Sequence, residues 1–380
     1  MPFIRGPQSK KTRRCRICQE SPPIFSQHIG ICSECIRNNP TKVLQYIEDV
    51  HSYSRSKWGL RTNLPHDSEG VQCKVCSNTC YIAPGESGYC GLWENRGGRI
   101  RSISGNIEAI LHTYLDPLPT NCCSTYFCPG GTGKGYPRFA CAPGPEFSHY
   151  NLACFLYGCN FFCYGCQNAQ HRNINIGERY TLEKFLSKAN DPLVSCICWF
   201  GGSPEPQLPW ALRASKKAVK EYSDRILRVC WEWNGAGHPK LVGNAVALAL
   251  DTGGNVKFDL KYFNPILSRV LSGVSNEQSF KNFEKCFHKF YHQRKVIPVL
   301  AATTLLIPGY IDAIEVELIA GFLAELDETI PYSLLAFHPS SFLSDLPFTS
   351  PDQVKKCYLA AKKHLKNVHI GNRHLLGWSK

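Results

Sequence analysis

The sequence lacks the long apolar run of about 18 residues that marks a membrane helix, although 43% of its 380 residues are hydrophobic. The opening segment, MPFIRGPQSKKTRR, also lacks the apolar stretch of a signal peptide. We therefore expect a cytoplasmic protein without a membrane span. Its apolar content is enough for one large domain with one or two small ones.

Acidic residues are absent from that opening segment, which carries Arg5, Lys10, Lys11, Arg13 and Arg14. The whole chain has 43 Lys and Arg against 30 Asp and Glu, a formal charge of +13. A basic surface suits nucleic acid, an acidic protein partner or an anionic cofactor. We interpret the basic arm as a solvated tail rather than a binding arm, and we do not favour nucleic acid as the partner.

Cysteine is abundant, with 21 residues and no secretory signal to go with them. A reducing compartment makes a disulfide framework improbable, so clustered cysteines indicate metal ligation. Isolated cysteines are expected to be ordinary core residues.

Two C-x-x-C pairs open the chain, Cys15 with Cys18 and Cys32 with Cys35. Two such pairs can place four thiolates tetrahedrally, which predicts a structural zinc site in a basic module over residues 1–70. Zinc ribbons bind nucleic acid or protein, or fold a small module, and the pattern does not choose among these. A short helix is predicted over Thr41–Val50, with a linker after it.

A second set of four thiols lies in CKVCSNTCYIAPGESGYCG, at Cys73, Cys76, Cys80 and Cys90. Four thiolates fit zinc, mononuclear iron or an iron–sulfur cluster, and buried thiols without a metal are the alternative. Residues 71–150 form a predicted second region, whose part 113–151 is rich in Gly and Pro and is predicted to be loop.

That loop contains Cys122, Cys123, Cys128 and Cys141. A third metal site and packed or free thiols are equally good interpretations. The string GGTGKG within it lacks the spacing and the Ser or Thr of a phosphate-binding loop.

A C-x3-C-x2-C motif follows the apolar run LACFLYG, at Cys159, Cys163 and Cys166. Three thiolates satisfy three irons of a [4Fe-4S] cubane and leave the fourth iron open. S-adenosylmethionine (SAM) can chelate that iron through its amino and carboxylate groups, whereas four thiolates would give a closed electron-transfer cluster. Such a cofactor would carry the radical chemistry, and the protein would position it.

Strands and helices alternate over residues 151–380, which predicts a parallel sheet in an α/β fold. Six or seven strands suit a partial (β/α)6 barrel, whose chemistry lies at the carboxyl ends of the strands. The predicted strands are LACFLYG (152–158), ICWF (197–200), ILRVCW (226–231), VKFDL (256–260), KVIPVLAA (295–302), YSLLAF (332–337) and VHI (368–370).

Candidate cofactor-binding residues follow these strands. Two glycines let a backbone approach a ligand closely, and Lys261 could pair with a carboxylate or simply with Asp259. TTLLIPGY (303–310) supplies apolar side chains that could pack against adenine. The candidates are Gly201, Gly202, Ser203, Pro204, Glu205, Asn234, Asp259 and Lys261. The sequence does not identify a general acid or base.

The ordered set GCNFFCYGCQN, GGSPEP, WNG, KFDLK and TLLIPGY resembles the radical SAM superfamily, in particular the glycyl-radical activating enzymes and the AmmeMemoRadiSam proteins. The likeness covers roughly residues 70–378 and implies that GGSPE holds the amino group of SAM. One departure is that the family's aromatic residue before the last cluster cysteine is Gly165 here, with Tyr164 one position earlier.

More narrowly, LDPLPTNC, CWFGGSPEPQLP, SLLAFHPSSFLSDLPFTS and IGNRHLL resemble a subgroup associated with cobalamin-dependent methylation. The resemblance implies a C-methyltransferase acting on a glutamine of the methyl-coenzyme M reductase alpha subunit, with ferredoxin or flavodoxin as electron donor. The sequence lacks the D-x-H-x-x-G cobalamin signature. Two other functions stay open, a hydrogen-abstracting activase without cobalamin and a zinc-ribbon module that binds RNA or protein.

Overall fold

The computed structural model describes residues 14–105, 107–120 and 122–378. Most of the basic arm therefore lies outside the described residues. Two helices and two short antiparallel hairpins precede the main sheet. The elements up to residue 132 are α1 (Ser33–Asn38), α2 (Pro40–Ser56), β1 (Val71–Gln72), β2 (Tyr81–Ile82), β3 (Trp93–Arg96), β4 (Arg99–Ser102), β5 (Ala109–Pro117) and α3 (Pro129–Thr132).

The rest of the chain alternates strands and helices. They are β6 (Tyr150–Leu156), β7 (Glu178–Tyr180), α4 (Leu182–Ala189), β8 (Val194–Gly201), α5 (Leu208–Glu221), β9 (Arg228–Trp233), α6 (Pro239–Thr252), β10 (Val256–Asp259), α7 (Pro265–Ser272), α8 (Glu277–Phe290), β11 (Leu300–Leu306), α9 (Ala313–Leu326), β12 (Tyr332–Ala336), α10 (Pro351–Lys362) and β13 (Val368–Gly371).

Nine of these strands form one sheet, in the order β13-β12-β11-β10-β9-β8-β6-β5-β7. The seven strands from β13 to β6 in that order are all parallel to one another. β5 is antiparallel to both of its neighbours, β6 and β7. The sheet is open, with β13 and β7 at its edges. The predicted α/β class with a mostly parallel sheet is confirmed, and each of the seven predicted strands overlaps an observed one.

Two local predictions were wrong. The segment 113–151 is not loop throughout, because β5 runs to Pro117 and pairs with β6. The strand was missed because the Gly and Pro content of the segment as a whole indicated loop, although β5 itself contains Tyr114 and Leu115 and one proline, Pro117. The helix predicted to end at Val50 continues to Ser56, where Arg55 is buried and donates to the Tyr89 carbonyl at 2.6 Å.

The core lies between the sheet and its covering helices. Trp199 of β8 stacks on Trp231 of β9 with ring centroids 6.0 Å apart, and both rings are fully buried. Their indole N–H groups donate to Ser215 in α5 and to the Ala245 carbonyl in α6. These outward-facing rings join strand to helix and leave the alternate positions of the strands for the inner face.

The N-terminal module packs against the loops at the carboxyl ends of the strands. The Tyr310 hydroxyl accepts from the Ser26 amide and donates to the Ile31 carbonyl, both at 3.0 Å. Arg37 pairs with Asp312 at 2.7 Å. Within the part of the chain that the structure describes, none of the helices has the length and apolarity needed to cross a membrane.

Candidate functional site

A cavity of about 950 Å³ lies at the carboxyl ends of the parallel strands. Residues that follow β6, β8, β9 and β10 meet there, although they are far apart in sequence. Its lining includes Cys159, Cys163, Cys166, Gly201, Gly202, Ser203, Glu232, Asn234, Lys257, Asp259, Lys261, Thr303, Leu305 and Ile307. The structure therefore brings together most of the site residues that the sequence predicted.

The three cysteines of the C-x3-C-x2-C loop all face this cavity. The Phe161 amide lies 3.4 Å from the Cys159 sulfur, and the Ser272 hydroxyl lies 3.0 Å from the Cys163 sulfur. Among the described residues these three sulfurs do not form a group within 4.8 Å of one another. That arrangement does not suit a single ion, and the assignment of a [4Fe-4S] cluster to these three thiols stays a prediction.

The buried Arg172 side chain holds the backbone of this loop. Its guanidinium donates to the Cys163 carbonyl at 2.5 Å and to the Ser341 hydroxyl at 2.9 Å. It also lies over the Phe162 ring, 4.2 Å from the ring centroid. A fixed positive charge beside three thiolates lowers the cost of gathering them.

The two glycines after β8 are required by close backbone approach. Gly201 has φ 107°, and a Cβ on Gly202 would lie 2.0 Å from the Gly158 carbonyl oxygen. Gly201, Gly202 and Ser203 line the cavity. The following loop is therefore pressed against the start of the cysteine loop.

Pro204 and Glu205 do not line the cavity, in contrast to the other members of the predicted GGSPE set. Glu205 is fully buried behind the loop, and its Oε1 accepts from the Gly235 amide at 2.6 Å. Burial raises the pKa of Glu205 to about 7, although hydrogen bonds to its carboxylate oppose this. The side chain thus positions the loop after β9 through Oε1, whereas its buried Oε2 has no hydrogen-bond partner among the described residues. The role of Glu205 in binding a cofactor stays a prediction.

Asn234 joins three loops at the cavity wall. Its amide nitrogen lies 2.7 Å from Asn160 Oδ1 and 3.1 Å from the Ser203 hydroxyl. Its carbonyl oxygen accepts from the Ala236 amide at 2.9 Å. A buried side chain with these partners fixes the geometry between the cysteine loop and the glycine loop.

Charged side chains form another part of the cavity wall. Lys261 lies 2.6 Å from Asp259, as the ion-pair interpretation of KFDLK predicted, and Lys257 lies 3.3 Å from the same carboxylate. Burial alone would raise the pKa of Asp259, but the two ammonium groups hold it well below its usual value. Lys257 was not among the predicted site residues, although its alternation with Phe258 and Asp259 along β10 places it on the same side of the strand as Asp259.

Gly165, which stands where similar families have an aromatic residue, is closely packed on one side. A Cβ there would lie 3.2 Å from Leu343 and 3.3 Å from Phe337. Tyr164 is fully buried and stacks on His51 of α2 with centroids 4.3 Å apart. The displaced aromatic therefore fastens the cysteine loop to the N-terminal module.

The four N-terminal cysteines converge as the sequence predicted, since their sulfur atoms all lie within 4.8 Å of one another. Cys15 and Cys35 have sulfurs 3.7 Å apart, and those of Cys18 and Cys32 are 4.0 Å apart. Ligands at about 2.3 Å from a tetrahedral zinc are separated by about 3.8 Å. The donor set therefore fits zinc.

The second predicted set, Cys73, Cys76, Cys80 and Cys90, behaves differently. Among the described residues no three of these sulfurs form a group within 4.8 Å, so the set does not converge on one ion as the N-terminal set does. The region packs on the cysteine loop, where the Asn78 amide donates to the Asn160 carbonyl at 2.7 Å. The choice of metal for this set stays a prediction.

Comparison with known proteins finds a family match and a relative that covers most of the chain. Residues 154–319 match the model of the radical SAM superfamily. An uncharacterised protein of Methanocaldococcus jannaschii is 25% identical over 317 residues, which cover 80% of this chain and 82% of that protein.

Solved structures give fainter likenesses. Streptococcus suis SuiB has a TM-score of 0.41 and 14% identity, over 58% of this chain and 48% of SuiB. The methyltransferase TsrM of Kitasatospora setae has a TM-score of 0.34 and 14% identity, over 49% of this chain and 36% of TsrM. The family match coincides with the strands and loops that build the cavity. The chain therefore carries a radical SAM domain over residues 154–319.

Proposed function

We propose that this chain cleaves SAM at a [4Fe-4S] cluster and directs the resulting radical at a carbon of a protein residue. The observation that carries the proposal is the shared cavity of the three loop cysteines and the glycine loop. Both features come from separate strands, and a radical SAM domain needs both at one place.

The cavity offers a partner for each part of SAM. Cys159, Cys163 and Cys166 would hold the cluster. Backbone carbonyl groups of Gly201 and Gly202, both in the cavity lining, would accept from the SAM amino group. Among the other lining residues, Lys261 would pair with the SAM carboxylate through its positive charge. The apolar side chains of Leu305 and Ile307 would pack against adenine.

When bound, the cluster supplies the electron that cleaves the sulfonium and leaves a 5′-deoxyadenosyl radical. The chain's part is to hold SAM in one pose and to keep water out. Asn234 would help to hold SAM in one pose, because this side chain is only 3% exposed and lies within hydrogen-bond distance of the cysteine loop and the glycine loop. The basic surface of the chain would attract an acidic electron donor such as ferredoxin or flavodoxin.

We further propose cobalamin-dependent C-methylation, with a glutamine of the methyl-coenzyme M reductase alpha subunit as the first substrate to test. A carbon without an acidic proton cannot be alkylated by base catalysis, so a radical route is needed. The cavity volume of about 950 Å³ is near the upper end for a single ligand site. This volume is enough for SAM and a substrate side chain, whereas cobalamin, which is several times larger than SAM, would have to extend beyond it.

The test is product analysis after anaerobic reconstitution with iron, sulfide, reductant, cobalamin, SAM and a peptide of the reductase. Deoxyadenosine together with S-adenosylhomocysteine, both dependent on cobalamin, is the expected result. Deoxyadenosine without S-adenosylhomocysteine would discard methylation in favour of hydrogen abstraction without cobalamin. Absence of both products would refute radical chemistry altogether.

A further inference from the structure

Two thiols and a carboxylate converge on the wall of the same cavity. The sulfurs of Cys122 and Cys123 and a carboxylate oxygen of Glu232 all lie within 4.8 Å of one another. The Cys122 thiol donates to Glu232 Oε1 at 2.8 Å across 110 positions of sequence. All three residues line the cavity of about 950 Å³.

The turn that carries the two cysteines is held in place. The Cys122 amide donates to the Thr120 hydroxyl at 3.3 Å, and the Thr125 hydroxyl donates to the Thr120 carbonyl at 2.7 Å. The Ser333 hydroxyl donates to the Cys123 carbonyl at 3.0 Å, which fastens the turn to β12. Both thiols are therefore presented by a supported backbone.

A backbone amide of this turn also contacts the sulfur of Cys122. The Ser124 amide lies 3.3 Å from Cys122 Sγ, which matches the contact of the Phe161 amide with Cys159 Sγ at 3.4 Å. An N–H group two residues further along the chain stabilises a thiolate, which is the form of cysteine that binds metals.

The carboxylate is oriented from behind by a chain of charged and polar groups. Lys257 Nζ lies 3.1 Å from Glu232 Oε2 and 3.3 Å from Asp259 Oδ1. Asp259 in turn accepts from the Thr303 hydroxyl at 2.8 Å. Such outer partners fix a ligating carboxylate, and they leave Oε1 directed at the thiols.

We propose that Cys122, Cys123 and Glu232 bind a divalent cation of the zinc class. Two thiolates with one carboxylate form a donor set that zinc accepts and that magnesium or calcium does not. Three protein ligands leave a fourth tetrahedral position open, as in catalytic rather than structural zinc sites. The N-terminal site, with four cysteines, has no such opening.

The open position faces the cavity in which the radical would form. It would take an oxygen donor of the substrate, such as a side-chain amide or carboxylate, and so hold the neighbouring carbon for hydrogen abstraction. This substrate role rests on the proposed function, whereas the metal binding itself does not.

The test is zinc content of the cluster-containing full chain, measured by mass spectrometry after dialysis against a weak chelator. The Cys122→Ala and Glu232→Gln variants should each hold one zinc ion fewer per chain than the wild type. Cys128→Ser is the matched control, because Cys128 lies in the same segment outside the trio and serine can keep its cap contact with the Gly131 amide. Its zinc content should equal that of the wild type.

Unchanged iron content in each variant shows that the chain has folded. Cobalt(II) in place of zinc should give thiolate charge-transfer absorption that decreases in Cys122→Ala and not in the control. Equal zinc content and equal cobalt absorption in the wild type and both trio variants would overturn the proposal. Deoxyadenosine formation without substrate, measured in the wild type and in the control Cys128→Ser, tests the proposed function separately from the zinc content.

Discussion

The strongest stability prediction concerns the buried ion pair that anchors the segment between β5 and β6. Arg228 and Glu146 are 2% and 0% exposed, and two N–H···O contacts of 2.7 and 2.6 Å join them. Arg228 also donates to the Phe139 carbonyl and the Ser195 hydroxyl, both at 2.8 Å. Although burial raises the pKa of Glu146, its bonds with Arg228 hold that pKa below its usual value.

Removing one partner leaves the other charge buried and uncompensated. We expect Arg228→Met or Glu146→Gln to lower the free energy of unfolding by roughly 3–5 kcal/mol each. The double variant has neither buried charge, and its new amide oxygen can still accept from the Cys141 amide, which lies 2.8 Å from Glu146 Oε1 in the wild type. Its loss should therefore be well below the sum of the two single losses.

The assay is urea denaturation followed by tryptophan fluorescence, which reports on the buried sheet residues Trp199 and Trp231. The two single variants and the double variant form a double-mutant cycle with the wild type. A loss below about 1 kcal/mol in a single variant would refute the reasoning, because a charge buried without a partner destabilises the fold by more than this. Strictly additive losses would refute it as well, because they would show that the two charges do not interact.

Three further predictions concern the site and the N-terminal module. The raised pKa of Glu205, about 7 against an ordinary 4.5, gives stability that is present below pH 4.5 and lost as the pH rises to 7. Glu205→Gln should remove roughly 3 kcal/mol of that pH dependence in denaturation curves, and an unchanged profile would contradict the assignment. Cys32→Ala should release the N-terminal zinc and loosen the module from Tyr310, seen as lower zinc content and faster proteolysis. Intact zinc content would argue against a four-cysteine site. Lys261→Met should weaken SAM binding about tenfold, or about 1.4 kcal/mol, in calorimetry, whereas Lys217→Met on the exposed side of α5 should leave it unchanged.

Local patterns in the sequence predicted the features that depend on neighbouring residues. The paired C-x-x-C spacing predicted the convergence of Cys15 with Cys18, Cys32 and Cys35, because each pair turns within a few residues. The parallel strands were predicted from apolar runs, since strands covered on both faces are nearly continuously hydrophobic. The segment after Cys159 was predicted to lie at a strand end for the same reason.

Features that depend on distant contacts were not predictable. Cys122 and Cys123 meet Glu232 only because the fold places β9 beside a turn that lies 110 positions earlier in the sequence. No local pattern encodes this contact. The bond between Glu205 and the Gly235 amide of the next unit is likewise a distant contact, which the GGSPE motif does not encode. The cofactor-binding role of Glu205 stays a prediction.

The central claim is tested most directly by reductant-dependent SAM cleavage in a single-cysteine variant. The reconstituted wild type should hold the cluster and form deoxyadenosine, and Cys163→Ala should lose cluster absorption and product together. Cys357→Ala, at a buried thiol within α10, should keep both. Deoxyadenosine formation at the wild-type rate by Cys163→Ala would contradict the account, because the cavity would then not owe its chemistry to the C-x3-C-x2-C loop.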